Sequence, residues 1–400
     1  MAGAAGAAFV AGRSGGAANG RGARAAAAAP QQPALAPEVF ARRVGRLQAE
    51  LATRKIDFFL ATPSTNYEYF TGYNPGRSER LIALVVPVTG APAVVCPSFE
   101  VERITRHGAI ADVRGWAEQA DPYGLVGNVA RGLKKTPGRA TVALESSTAY
   151  ATFLRLADAL GGAKLVDAAP VTERLRIVKA PEEVALIRRA IDITEAAIAA
   201  TVAALAVGVT ERDTARALSR EMQQRGAEGG GLVQFGPSSA LPHASPGDQA
   251  LERDSVVLID CGCRVGGYQS DITRTTWFGD HAPEEFRKVF NVVHDAQTAA
   301  IALGRPLLTK CHELDRAARK VIADAGYGAF FTHRLGHGLG MDIHEPPYLV
   351  EGNETRLEPG MVFTSEPGVY QPGKFGVRIE DDCVMTDNGI EVLSHRVAKL

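Results

Sequence analysis

The chain has 400 residues, 46% hydrophobic and 22% charged, and its 44 Lys and Arg are balanced by 45 Asp and Glu, leaving a formal net charge of -1. This is the composition of a globular chain long enough for two domains. The charge balance excludes the concentrated basic surface that nucleic-acid binding requires, and no run of about 18 apolar residues offers a membrane span.

Residues 1–36 contain no Asp or Glu, are dominated by Ala and Gly, and carry Arg13, Arg21 and Arg24. Such a segment cannot bury a core and is expected to be a disordered extension. Its acid-poor, Arg-bearing character loosely resembles a transit peptide, but serines are few and no secretory pattern is evident. A dispensable extension is the favoured reading.

From Glu38 the pattern becomes that of folded protein. Phe40, Val44, Leu47 and Leu51 recur at spacings of three and four, which predicts a helix. Short β-like runs follow at 57–60, 81–86, 93–96 and 141–144, with a helix expected from Phe99. Strands alternating with helices predict an α/β domain over residues 37–177, and nothing in it reads as a catalytic constellation.

The sequence Lys179-Ala180-Pro181-Glu182-Glu183 then signals a helix start, and Val184, Ile187, Ile191 and Ile198 mark one face of a long helix. A second domain, 178–400, is expected here. Its β-like runs (256–259, 361–364, 382–385) alternate with helical ones (212–224, 284–303, 311–325), so the fold class is α+β.

Five scattered cysteines, Cys96, Cys261, Cys263, Cys311 and Cys383, are not a disulfide framework and suit a reducing cytoplasm. The pair Cys261 and Cys263 could be read as thiolate ligands. Without a second thiol pair, small apolar residues on one face of a buried strand is the better reading.

The chemistry lies further on. Asp260 ends an apolar run, and Asp271 follows eleven residues later, with Gly262, Gly266 and Gly267 between, as expected for adjacent antiparallel strands joined by a hairpin. The segment 332–345 places His333, His337 and His344 within twelve residues among glycines. Imidazole is the commonest metal donor, and glycines let backbone approach closely. Glu366 and Glu380 each sit beside a β-like run. Four carboxylates and an imidazole make an oxygen-rich site suited to divalent Mn, Co, Fe or Zn, whose charge would offset the repulsion among the acids.

The phrases D-x-G at Asp260, S-D-I-T-R around Asp271, G-H-G-L-G around His337, H-E-P-P at His344, E-P-G-x-Y at Glu366 and R-I-E-D-D around Glu380 resemble the pita-bread metallopeptidases, a family that includes methionine aminopeptidase, aminopeptidase P and prolidase. The resemblance covers nearly everything after residue 40. It implies a C-terminal pita-bread catalytic domain preceded by an α/β creatinase-like N-terminal domain. It also implies two divalent metal ions, Mn first, held by Asp260, Asp271, His337, Glu366 and Glu380, with Asp271 and Glu380 bridging and a water or hydroxide between the ions as nucleophile.

By the same resemblance Glu366 is the general acid/base. His344 and His243 polarise the scissile carbonyl, His333 marks the proline-directed branch, and Arg378 supports the ligands through charge-assisted hydrogen bonds. The segment 66–75 resembles the N-terminal domain of prolidases and aminopeptidases P, which disfavours methionine aminopeptidase, and retention of all five ligands disfavours the metal-free creatinase and any non-enzymatic relative. The expected activity is hydrolysis of the bond before proline in Xaa-Pro dipeptides, with aminopeptidase P action on longer Xaa-Pro-Yaa peptides as the alternative, by a homodimer. A tyrosine that many relatives carry upstream of His243 is absent from 229–235, and only Arg356 stands near the place of an arginine that grips the product carboxylate in some prolidases.

Overall fold

The computed structural model describes residues 35–133 and 139–400, so residues 1–34 of the expected extension lie outside the described residues. The N-terminal half runs α1 (Pro37–Thr53), β1 (Phe58–Ala61), α2 (Thr65–Thr71), β2 (Ala83–Pro87), β3 (Ala93–Pro97), α3 (Val101–His107), β4 (Asp112–Trp116), α4 (Pro122–Leu133), β5 (Thr141–Leu144), α5 (Tyr150–Ala159), β6 (Lys164–Asp167) and α6 (Ala169–Arg176). Its six strands form one mixed sheet of order β4-β3-β2-β1-β5-β6, with β1 antiparallel to β2 and parallel to β5.

Strands β1, β2 and β3 are buried at every position, which is why they read as continuous apolar runs rather than alternating ones. The two edge strands, β4 and β6, mix charged with apolar residues, lie partly exposed and gave no comparable apolar run. The helix expected over 40–51 is α1, extended upstream because Pro37 suits a first helical turn. The one expected from Phe99 starts as a single 3-10 turn, with α3 following from Val101 and Phe99 itself exposed.

The second half comprises α7 (Pro181–Ala203), α8 (Glu211–Gln224), β7 (Glu228–Phe235), β8 (Ser255–Val265), β9 (Tyr268–Gln269), β10 (Ile272–Phe278), α9 (Glu284–Leu303), α10 (Cys311–Asp324), β11 (Gly336–Gly338), β12 (Glu345–Leu349), β13 (Val362–Ser365), β14 (Gly368–Gln371), β15 (Phe375–Arg378), β16 (Asp381–Thr386) and β17 (Gly389–Val392). One sheet has the order β10-β8-β7 with β9 paired to β8, and a second has the order β12-β11-β13-β16-β17. Strands β14 and β15 form a separate ribbon. The class is α+β, as the sequence predicts. Among the described residues no helix is long and apolar enough to cross a membrane.

The halves share one apolar cluster, in which Val44 and Leu47 of α1 join Ile187 and Ile191 of α7 and Val233 and Ile259 of the β10-β8-β7 sheet. A second cluster packs α9 and α10 on the other sheet through Phe286, Val289, Leu314 and Phe363. Set into the shared cluster is a buried charge. The Arg43 guanidinium, 3% exposed, donates to Glu183 Oε1 (2.9 Å), to Tyr268 Oη (2.7 Å) and to the Tyr69 carbonyl (2.9 Å). Glu183 also accepts the Ala180 backbone N–H at 2.6 Å, so one carboxylate caps α7 and neutralises α1.

Glu183→Ala should therefore cost about 3–5 kcal/mol in urea unfolding, because it strands Arg43 without a counter-charge. A loss below about 1 kcal/mol, the scale of an exposed pair, would show that Arg43 is compensated elsewhere.

Candidate metal centre

Strands β8 and β10 pair antiparallel with Thr273 opposite Asp260, and Asp271 sits one residue before β10, so the two aspartates share one end of the hairpin. Gly266 and Gly267, at φ 56° and 91°, make the turn. Gly262 allows the close pairing beside the acids, since a Cβ there would lie 1.8 Å from the Ser270 carbonyl oxygen. The other sheet supplies His337 from β11 and Glu366 from the residue after β13. Gly336 permits that contact, its Cβ position falling 2.1 Å from the Thr364 carbonyl oxygen. Glu380 lies between β15 and β16, and its backbone N–H donates to the Thr273 carbonyl at 3.1 Å, joining the two sheets at the site.

The fold brings all five expected ligands together. Asp260, Asp271 and Glu380 offer oxygens within 4.8 Å of one another, and so do donors of His337, Glu366 and Glu380, and of Asp271, His337 and His344. His337 Nδ1 lies 3.1 Å from the Gly338 carbonyl and so must donate to it, which turns Nε2 toward Asp271 Oδ2 (3.6 Å) and Glu366 Oε1 (3.4 Å). Burial, reinforced by His344, pushes His337 down to about 3, so its Nε2 lone pair is available at neutral pH.

The acids respond in the opposite direction. Burial, and then repulsion from Asp260, Asp382 and Glu366, raises Asp271 well above the usual carboxylate range. Burial and the neighbouring acids do the same to Glu380. Glu366 is pushed up to about 8, chiefly by burial, with Arg378 pulling the other way. Four carboxylates facing one guanidinium cannot all ionise together. An oxygen-rich set with one neutral imidazole and this surplus of negative charge fits divalent cations.

Arg378, 2% exposed, holds the ligands from behind. It donates to Asp260 Oδ2 (2.5 Å), to Thr273 Oγ1 (3.0 Å) and to Tyr370 Oη (2.7 Å), and Thr273 in turn donates to Glu380 Oε2 (2.6 Å). His333 completes the chain: its Nδ1 contacts the Arg334 carbonyl at 2.8 Å and must donate, so Nε2 accepts from Tyr370 Oη at 2.8 Å. Both His333 nitrogens are thus engaged by protein. Thr273 and Tyr370 carried no sequence signal beyond lying in the ligand motifs, and Thr364, which bridges the His337 N–H and Glu366, lies just ahead of the motif at Glu366.

A cavity of about 600 Å³ opens onto the cluster, within the usual ~300–1,000 Å³ of small-molecule sites. His344 and His243 both line it, and neither ring makes a hydrogen bond among the described residues. The loop bearing the exposed His243 is fixed from below: buried Gln234 donates to the Leu241 and Ala244 carbonyls (2.6 and 3.3 Å), and Glu211 accepts the Phe235 and Gly247 N–H groups, both at 2.8 Å. Gly230 and Gly231 stand where the absent tyrosine was sought and leave that wall open. Arg356 is not at the site. It donates to the Leu307 and Leu308 carbonyls on the outside, whereas Arg334 is the one Lys or Arg lining the cavity among the described residues. Cys261 and Cys263 are free, buried strand residues outside every metal-capable group found.

Residues 185–387 match the model of metallopeptidase family M24, and residues 43–178 match that of the creatinase/prolidase N-terminal domain. Among solved structures the chain is similar to the dipeptidase PepE of Mycobacterium ulcerans, at 35% identity and TM-score 0.84 over 92% of this chain and 99% of that one. It is similar to a prolidase of Thermococcus sibiricus, at 32% and 0.82 over 90% and 98%. It also resembles an X-Pro aminopeptidase of Thermotoga maritima, at 30% and 0.79 over 89% and 98%.

Two outcomes test the centre. Asp271→Ala should lose its divalent metal by elemental analysis, since Asp271 belongs to two of the three donor groups; full retention would remove it from the ligand set. In chelated protein the raised Glu366 pKa makes the folded state bind more protons than the unfolded. Its contribution is full below its ordinary 4.5 and lost as pH rises through about 8, so Tm should fall across that window. Metal should abolish the fall.

Proposed function

The chain belongs to metallopeptidase family M24, with a creatinase/prolidase-type N-terminal domain ahead of its pita-bread catalytic domain, and on that premise we propose that it is a dinuclear Xaa-Pro dipeptidase. The observation that carries the dipeptide reading is Arg334. Its guanidinium lines the catalytic cavity, lies 4.4 Å over the Tyr348 ring, and makes no hydrogen bond or ion pair among the described residues. A dipeptide ending in proline places a free carboxylate beside the scissile bond, and a pre-oriented guanidinium is its natural partner.

Asp260, Asp271, His337, Glu366 and Glu380 would hold two divalent ions, Mn first, with Co, Zn and Fe accepted by the same donors. When bound, the ions supply Lewis-acid polarisation and make water a nucleophile at neutral pH. Glu366 takes the proton of the attacking water and passes it to the proline nitrogen, which as a tertiary amide has no hydrogen of its own and must be protonated to leave. His344 and His243 have ring N–H groups with no protein acceptor among the described residues and donate to the carbonyl oxygen as it gains charge. His333, tied to Tyr370, shapes the wall beside Arg334. The five buried free thiols suit a reducing cytoplasm, and a homodimer is the assembly we expect.

Aminopeptidase P activity on Xaa-Pro-Yaa is the second reading, favoured by the glycine-lined wall, which could admit a longer peptide. Comparing Ala-Pro, Ala-Pro amide and Ala-Pro-Yaa with Mn-loaded protein separates the two. A dipeptidase should prefer Ala-Pro, and Arg334→Met should raise its KM by about 10–100-fold, the worth of a charged hydrogen bond, with kcat little changed. Preference for the tripeptide, or an unchanged KM in Arg334→Met, would overturn the dipeptide reading. His344→Ala should keep its metal and lose about 10²–10³ in kcat; loss of metal comparable with that of His337→Ala would make it a ligand instead.

A further inference from the structure

His344 is followed directly by Glu345, an acid that no step of the proposed reaction uses. The Glu345 carboxylate is 6% exposed and faces away from the metal cluster into the seam between the domains. Lys179 Nζ, its side chain almost fully buried, donates to Oε1 at 2.8 Å, and Arg176 Nη2 donates to Oε2. The same guanidinium donates to Asp342 Oδ2 (2.7 Å) and to Asn66 Oδ1 (3.0 Å), and Thr65 Oγ1 donates to Asp342 Oδ1. Two acids and two cations close a balanced network around residues 342–345.

The partners come from outside the catalytic domain's own sheets. Thr65 and Asn66 open α2, Arg176 ends α6, and Lys179 lies in the connector to α7, whose backbone is pinned to the catalytic domain by a Lys179 N–H to Gly360 carbonyl bond of 2.8 Å. Gly340 makes the inward turn of Glu345 possible, since a Cβ there would fall 2.6 Å from Glu345 Oε1. His344 itself lines both the catalytic cavity and a smaller one of about 220 Å³ that Asn66, Glu145, Arg176 and Glu345 wall. Its ring has no hydrogen bond among the described residues and is steadied by an edge contact with His337 at 4.2 Å between centroids. Its orientation is therefore left to its backbone, and that backbone is held on one side by Asp342 and on the other by Glu345.

We propose that Glu345 is a positioning residue for His344, and that its clamp by Arg176 and Lys179 makes the N-terminal domain and connector a working part of the active site. This rests on the reading that His344 acts on the scissile carbonyl. A displacement of about 1 Å at such a group costs about 10²-fold in rate, whereas binding energy remote from it is untouched.

The test is a double-mutant cycle of Glu345→Gln and His344→Ala on Mn-loaded full-length protein, reading kcat, KM, metal content and Tm. Glu345→Gln should lower kcat by about 10–100-fold with KM and metal content unchanged, and should add nothing once His344 is alanine. Full kcat in folded Glu345→Gln, or losses that multiply in the double variant, overturns the proposal. Full kcat in His344→Ala overturns instead the role given to His344, and is distinguishable because it needs no second substitution. If Glu345→Gln fails to fold, Asn66→Ala takes its place. A smaller kcat loss that vanishes in the His344→Ala background supports the clamp; no loss, or one that persists there, overturns it.

Discussion

The carboxylates of Asp260, Asp271, Glu366 and Glu380 converge on one largely buried space, and the rest of the centre answers the repulsion among them. Burial pushes Asp271, Glu366 and Glu380 above their ordinary range, and their proximity adds to it. Among the described residues the fold supplies a single buried cation at this point, Arg378, which is too little for four acids. Unless some of the acids stay protonated, divalent ions are what balances the charge. Reading the site as a metal centre thus follows from electrostatics as well as from family membership.

Geometry gives the three histidines of the 332–345 segment, and His243 beside them in the cavity, different hydrogen-bond surroundings. His337 is locked by the Gly338 carbonyl so that Nε2 faces the acids, and its low proton affinity keeps that nitrogen a donor to metal. His333, pushed down to about 4 mainly by burial, spends both nitrogens on protein partners. The His344 and His243 rings line the cavity and make no hydrogen bond among the described residues. The distinction is one of hydrogen-bond occupancy, which residue type alone does not carry.

Among the charged contacts by which the N-terminal domain grips the catalytic domain, three lead toward the site. Arg43 joins Glu183 and Tyr268, and Glu68 accepts Arg264 through both oxygens at 2.7 and 2.8 Å, which together brace the turn that precedes Asp271. Arg176 reaches the loop of His344. A cavity larger than the catalytic one, about 880 Å³, opens along the Arg43 seam but holds none of the candidate ligands, so size is no guide to the chemistry here.

The sequence by itself determined the long helices and singled out the candidate ligands. Helix periodicity placed α1, α7 and α9 because each buries a single apolar stripe, and the five candidate ligands stood out because carboxylates and histidines beside glycines at strand ends are costly unless they do something. The edge strands β4 and β6 were invisible because exposure removes the apolar signal that marks a strand. The tertiary structure alone decided what depends on pairs distant in the chain. Arg356, the one arginine near the place where an anchor was sought, holds an outer loop, while Arg334, whose neighbour His333 drew attention first, lines the cavity. Glu345 read as one letter of a motif, because its partners Arg176 and Lys179 lie more than 160 residues away. Charge pairing across such separations leaves no periodicity to read, and only the folded chain brings the partners within reach.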